Sequence, residues 1–353
     1  MSMALPAEER TLAEALRQVG YRTAICGKWH LGHARRAHLP HRRGFDHEYG
    51  SYLGAVDYYA HTRREGGTDW HRNGRPLRQA GHATDLIAAE AVNIIERHDR
   101  SRPLLLFVSF TAPHMPLQPP PGGTNAYARI ANNRRRTYAA MVTHMDAAIG
   151  RILDAIDARG MRERTLVLFC SDNGGTELGG GSNAPLRDGK RSVYEGGVRV
   201  PAIVRWTGVL PANEEIKHPL HLVDWYPTLL RLAGAALEQP RPVDGKDIWP
   251  TLSAGKPSPH EEIVLNVNRD GGAIRQGHWK LVVKIGQKGA QTELFDLSRD
   301  PYERNDLAEK HPVTTITLLE RFQAWAAQAV PPPQSSRSPP PGFKAPEIWQ
   351  PED

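Results

Sequence analysis

This sequence predicts an α/β domain, with a mostly parallel central sheet sandwiched by helices, followed by a small antiparallel subdomain that carries a helix. Three observations lead there. Apolar runs of strand length alternate with segments of helical spacing through the first two thirds of the chain, the pattern of a sheet covered on both faces. One run, Thr165 to Cys170, has five apolar residues in six and no charge, as a strand buried on both faces requires. Beyond about Glu261 the apolar runs become short and closely spaced, as in antiparallel hairpins.

Taken in order, Thr11 to Val19 has helical spacing, with Leu12, Ala15 and Leu16 on one face and Gly20 as its stop. Tyr21 to Cys26 is a strand ending at Gly27. The stretch from Gly44 to Pro76, rich in Gly, Asp, Tyr and His, is expected to be a long surface excursion. A helix from about Thr84 to His98 leads to a strand over Pro103 to Phe110. Tyr138 to Arg159 places Met141, Met145, Ile149, Ile152 and Ile156 on one side of an amphipathic helix. The Thr165–Cys170 strand, another over Val200 to Arg205 and a helix starting near Asp224 complete the alternation. Ile263, Trp279 and Glu293 each open a short strand, and Thr314 to Ala329 a helix. The expected organisation is residues 1–258 as the α/β domain, 259–330 as the α+β subdomain and 331–353 as an extended proline-rich tail.

With 353 residues the chain is long enough for a large domain and an appendage. Its 39% hydrophobic and 24% charged content are those of an ordinary globular protein. A formal charge of +6 favours anionic ligands. Arg134, Arg135 and Arg136 form a basic run, but no nucleic-acid-binding module accompanies it, so no nucleic-acid partner is expected. No stretch reaches the ~18 apolar residues of a membrane span. The two cysteines, Cys26 and Cys170, lie in or beside apolar runs and are expected as buried free thiols. Met1 to Arg10 lacks a basic start followed by an apolar core, so no export signal is visible.

Four polar clusters follow predicted strands or lie near them. They are Gly27 to Gly32 with Lys28 and His30, Thr111 to His114, Asp172-Asn173-Gly174-Gly175, and Leu186 to Lys190. Open α/β sheets bind ligands at the carboxyl ends of their strands. If the strands are parallel, these clusters converge on one edge. Asp172 and Asn173 offer adjacent oxygen ligands for a hard cation such as Ca²⁺ or Mg²⁺; the same residues also make ordinary turns. Lys28 and Lys190 suit the oxygens of a tetrahedral oxyanion, and a His suits proton delivery to a leaving alcohol. His30 and His33 have zinc-like spacing without further ligands to close a site.

These segments resemble the formylglycine-dependent sulfatases, most of all the arylsulfatase branch of the alkaline-phosphatase-like superfamily. The resemblance is carried by Gly20 to Gly32 (GYRTAICGKWHLG), Ala112 to Gln118 (APHMPLQ), Ser171 to Gly175 (SDNGG), Leu186 to Lys190 (LRDGK), Tyr194 to Trp206 and Asp224 to Leu230. Glu293 to Leu307 is similar to the C-terminal subdomain signature. It implies a sulfuric ester hydrolase acting on a small-molecule or glycan sulfate ester. Asp172 and Asn173 would be two ligands of a divalent cation, usually Ca²⁺. Lys28 and Lys190 would hold sulfate oxygens. His30 would assist at the geminal diol of the nucleophile, and His114 would contact the sulfate or aid departure of the leaving group.

In that family the nucleophile is a formylglycine made from Cys or Ser in a C/S-x-P/A-x-R motif, several tens of residues before the Gly-Lys-Trp-His segment. Here 27 residues precede Lys28, and neither Cys26, Cys170 nor any Ser satisfies the motif. The strand whose Asp pair would complete the cation site is missing too. The chain is therefore expected to be N-terminally incomplete, to bind the cation weakly, and to lack turnover as written. The alternatives are a non-catalytic relative that binds sulfated ligands, and a phosphate or phosphonate ester hydrolase. Relatives are often exported, periplasmic or lysosomal, and the compartment is left open.

Overall fold

A computed structural model describes residues 4–268, 270–286, 289–330 and 342–350. In chain order the first elements are α1 (Leu12–Gln18), β1 (Arg22–Gly27), β2 (His47–Gly50), β3 (His71–Arg72), β4 (Arg75–Pro76), α2 (Ala83–Glu96), β5 (Leu104–Ser109) and α3 (Asn133–Ala158). Then come β6 (Val167–Cys170), α4 (Glu195–Val198), β7 (Ala202–Arg205), α5 (Trp225–Leu232) and α6 (Trp249–Ala254). The last are β8 (Glu262–Asn268), β9 (Gly271–Gln276), β10 (Trp279–Gly286), β11 (Gly289–Asp296) and α7 (Pro312–Ala326). The chain divides into two compact units, the first comprising 1–165, 223–247 and 333–353, the second 166–222 and 248–332.

The first unit is built on a sheet of order β4-β3-β2-β1-β5. The central pairs are parallel, with Ala24 opposite His47 and Gly27 opposite Ser109; β2, β3 and β4 pair antiparallel. β1 is buried on both faces, as its apolar run requires, with Ala24, Ile25 and Cys26 in succession all inaccessible. Thr11 starts α1 with a capping box, accepting from the Glu14 amide at 3.0 Å while its own amide donates to Glu14 Oε2 at 2.7 Å. α2 buries Ile87, Ala88, Ala91, Ile94 and Ile95. α3 begins at Asn133, ahead of the expected Tyr138, because the Asn132 side chain accepts from the Arg135 amide at 3.0 Å and caps the helix earlier. The arginine run thus belongs to its first turns.

The Gly44–Pro76 stretch is not a surface excursion. Tyr49, Tyr52, Tyr58 and Trp70 are buried in it, as are Glu48, Asp69 and His71. Glu48 and Asp69 are paired with partners inside the stretch, which is why a polar composition was misread as exposure. Asp69 accepts from the amides of Tyr52 and Leu53, both at 3.0 Å, and from Arg63 at 2.8 Å. Tyr52 donates to Glu48 at 2.6 Å.

In the second unit β6 and β7 pair antiparallel, Cys170 opposite Ala202. This corrects the direction assumed for the Val200–Arg205 strand. The four-stranded sheet β11-β10-β9-β8 is wholly antiparallel and packs on α7 through Ile274, Leu281, Val283, Leu294, Leu318 and Phe322. β9, which opens Gly271-Gly272, escaped the sequence reading because glycines depress strand propensity. Lys280 is inaccessible and sits 2.8 Å from both Glu195 and Glu303. Cys26 is a buried free thiol as expected, whereas Cys170 is only half-buried. Of the proline-rich tail, 331–341 lie outside the described residues.

Candidate active site

The predicted site residues fall into two groups, each within one unit. Lys28, His30 and His114 belong to the first, and Asp172, Asn173 and Lys190 to the second.

In the first group the parallel pairing of β1 with β5 sets the geometry, since both strands end at the same sheet edge. The Lys28 amide donates to the Ser109 carbonyl at 2.8 Å, and Ser109 Oγ returns a bond to the Lys28 carbonyl at 2.5 Å. Past that point the chain continues along the loop after β2. Trp29 and His30 donate to the carbonyls of Ser51 and Tyr52 at 2.9 and 3.0 Å. Trp29 is buried, and its indole donates to Gly32 and His38 carbonyls at 3.0 Å. Anchored between two such neighbours, half-buried Lys28 and exposed His30 are presented at the surface of a rigid turn. His30 has φ of 58°, and its ring lies over Gly54, where a Cβ would come within 2.7 Å of it. His114 is half-buried after β5, with its Nδ1 2.8 Å from the Met115 carbonyl. Its carbonyl accepts from the hydroxyl of buried Tyr58 at 2.9 Å, so the polar stretch after β2 holds this loop in place.

In the second group the antiparallel pairing has a direct consequence. β6 ends and β7 begins at the same edge, so the loop 171–201 starts and finishes there. Asp172 is exposed and Asn173 half-buried. The Asn173 amide nitrogen donates to the Gly174 carbonyl at 3.0 Å, which commits the nitrogen and leaves the amide oxygen as the atom that a cation takes. Asn183 ties the loop together, accepting from the Gly175 amide at 2.8 Å and donating to the carbonyls of Gly175 and Asp188 at 2.9 and 3.0 Å. The Lys190 amide then donates to the Gly175 carbonyl at 3.0 Å. Such closeness requires Gly189, where a Cβ would lie 2.3 Å from the Gly175 oxygen and 2.5 Å from Asn183 Nδ2. A carboxylate, an amide oxygen and a Lys backbone are thereby held on one short frame. The two oxygens fit a hard cation, though Ca²⁺ takes six to eight such ligands.

Neither thiol suits a nucleophile. Burial pushes the Cys26 thiol far up, and burial with the Asp172 charge raises that of Cys170.

The sequence reading missed one cluster. Among the described residues the ligand atoms of His82, Asp85 and His144 lie within 4.8 Å of one another. Asp85 already accepts from Arg151 at 2.6 Å and lies 2.9 Å from His144 Nε2, and His82 Nε2 lies 2.8 Å from the Gln118 carbonyl. Arg151 and the N-terminus of α2 both oppose a further positive charge there. We describe it as an ion cluster joining α2 to α3. His144 and Asp85 are 59 positions apart, and no local signal links them.

The fold is that of alkaline-phosphatase-like hydrolases of anionic esters. The crystal structure of Ps i-CgsB in complex with k-i-k-neocarrahexaose is similar at a TM-score of 0.84 and 30% identity, over 91% of this chain and 75% of that one. The phosphonate monoester hydrolase of Agrobacterium radiobacter shares the fold at a TM-score of 0.64 and 18% identity, over 92% of this chain and 81% of that one. Within that class, the Sulfatase family profile matches residues 3–235, and the N-sulphoglucosamine sulphohydrolase C-terminal profile matches 188–326. This chain belongs to the sulfatase family. Mouse arylsulfatase J is 33% identical over 95% of this chain and 66% of its own length. Mouse N-acetylgalactosamine-6-sulfatase is 35% identical over 71% of this chain and 50% of its own length. The chain thus spans about half to two thirds of these relatives.

Proposed function

We propose that the chain binds a sulfate ester, small-molecule or glycan, and carries the oxyanion- and cation-binding part of a sulfuric ester hydrolase. The observation that carries this is the frame on which Asn183 and Gly189 hold Lys190 against the Asp172-Asn173-Gly174-Gly175 turn. Asp172 and Asn173 would hold Ca²⁺ or another divalent cation, weakly with two protein ligands; when bound, that ion neutralises charge on sulfate oxygens. Beside them in the second unit, Lys190 would offer an ammonium group to the remaining oxygens. In the first unit, Lys28 is our candidate for binding an oxyanion, and His114 and His30 are our candidates for proton transfer. Similarity to an N-acetylgalactosamine-6-sulfatase and to a structure in complex with k-i-k-neocarrahexaose supports a glycan sulfate as ligand.

The residues present do not fit a formylglycine. No Cys or Ser of this sequence lies in the C/S-x-P/A-x-R motif, and both thiols are disfavoured as thiolates. That observation favours a second reading, binding without turnover, for the 353-residue chain itself. The test is titration of the purified chain with 4-nitrophenyl sulfate in the presence and absence of Ca²⁺, alongside release of 4-nitrophenol. We expect Ca²⁺-dependent binding, abolished in Asp172→Ala, and no release. Binding indifferent to Ca²⁺ and to Asp172 would overturn the site; release of 4-nitrophenol would overturn the second reading.

A further inference from the structure

We propose that a second cavity in the first unit binds a further saccharide unit of an anionic glycan, away from the sulfate ester itself; this rests on the glycan reading above. The cavity has a volume of about 890 Å³, within the range of small-molecule sites. It is walled by residues 60–62, 65–68, 77–80 and 344–347.

Its lining has the chemistry of sugar recognition. His61 lies in the wall, 2% exposed, with its ring stacked on Trp70 at 4.5 Å. Burial lowers its pKa, which keeps a neutral imidazole that can donate to or accept from a hydroxyl. Around it stand Arg78 and Lys344, both exposed, and the carboxylates of Glu65 and Glu347. Carboxylates accept from sugar hydroxyls, while the two cations suit sulfate or carboxylate groups on the same ring. Arg78 and Glu347 form an ion pair whose side chains are 64% and 80% exposed. Such a pair contributes little and gives way readily to a ligand.

The cavity is a built feature. The C-terminal segment adds a strand-like edge to it: the Thr68 amide donates to Glu347 and the Trp349 amide to Thr68, both at 2.9 Å. The Trp349 indole donates to the Gly66 carbonyl at 2.7 Å beneath the Arg63 guanidinium. The opposite wall is fastened to the His114 loop. Tyr58 donates to the His114 carbonyl at 2.9 Å, and Gln118 bonds both the Tyr58 amide (2.8 Å) and Asp57 (2.6 Å). Ala60 and His61 follow directly, so one scaffold carries His114 and the cavity wall.

The experiment is calorimetric titration of the full chain with k-i-k-neocarrahexaose and with a chondroitin sulfate hexasaccharide, compared with 4-nitrophenyl sulfate. We expect at least one hexasaccharide to bind more tightly than the aryl sulfate. In Arg78→Ala/Lys344→Ala, whose targets are exposed, that hexasaccharide should lose about tenfold in affinity while aryl sulfate binding is unchanged. Neither hexasaccharide binding, or binding indifferent to the double substitution, overturns the cavity and leaves the sulfate-ester reading standing. Hexasaccharide binding that depends on Arg78 and Lys344 while Asp172→Ala has no effect on the aryl sulfate sustains the cavity and removes that reading instead.

Discussion

The backbone amide of Lys190 donates to the carbonyl of Gly175 at 3.0 Å, although fourteen positions of chain separate them. This bond fixes one of the two predicted sulfate-binding lysines beside the Asp172–Asn173 pair. It exists because Gly189 has no side chain. Gly189→Ala is therefore expected to force the two strands of the loop apart. We predict that sulfate-ester affinity falls at least tenfold and that stability falls by about 1–3 kcal/mol, the usual cost of overpacking. Calorimetric titration and urea denaturation would check both; an unchanged affinity would show that the frame does not position Lys190.

The proposed cation site makes a second prediction. Asp172→Asn keeps the volume of the side chain and removes its charge. Ca²⁺ affinity should drop by an order of magnitude or more, because affinity follows ligand charge. Thermal stability without Ca²⁺ should be unaffected, since Asp172 is exposed. Asn173→Ala should weaken the ion less, through loss of a neutral ligand.

Lys280 lies inaccessible between Glu195 and Glu303. Lys280→Met would leave two carboxylates buried without their cation, at a cost of about 3–5 kcal/mol. The triple change Lys280→Met/Glu195→Gln/Glu303→Gln should recover much of that. Burial raises the Glu303 pKa even with Lys280 beside it. A carboxyl raised in the folded state contributes stability below its unfolded pKa of ~4.3 and loses it as pH rises through the folded value. Glu303→Gln should accordingly flatten the fall in stability across that window, measured by denaturant midpoints at stepped pH.

Buried histidines act in the opposite sense. Burial lowers His61, His71 and His82 in the folded chain. A depressed pKa gives stability that is present above the unfolded value of ~6.5 and lost as pH falls through the folded one. The melting temperature should therefore drop on acidification from pH 7.5 toward 5, and less steeply in His71→Gln than in the parent chain. Equal slopes would mean that other groups govern acid lability.

Much of this was readable in the residues. Alternating apolar runs predicted the α/β sheet, because burial on one or two faces imposes period and length wherever it occurs. The spacing of Leu12, Ala15 and Leu16 announced α1, since one buried face imposes a helical period. Motif-length segments are also what nominate Lys28, His30, His114, Asp172, Asn173 and Lys190 for the proposed site. What local sequence did not contain was pairing at a distance. The Gly44–Pro76 stretch is core because Asp69, Arg63, Glu48 and Tyr52 satisfy one another, and composition alone reported only their polarity. β7 runs antiparallel to β6, and only that direction returns the loop carrying Lys190 to the edge where Asp172 stands. His61 opposite the C-terminal segment, and His144 beside Asp85, are juxtapositions across tens to hundreds of positions. Sequence by itself determined the fold class and where most of its strands and helices lie. Tertiary structure alone decided which groups meet, because hydrogen bonds and packing at long range depend on where the strands pair and not on what surrounds each residue in the chain.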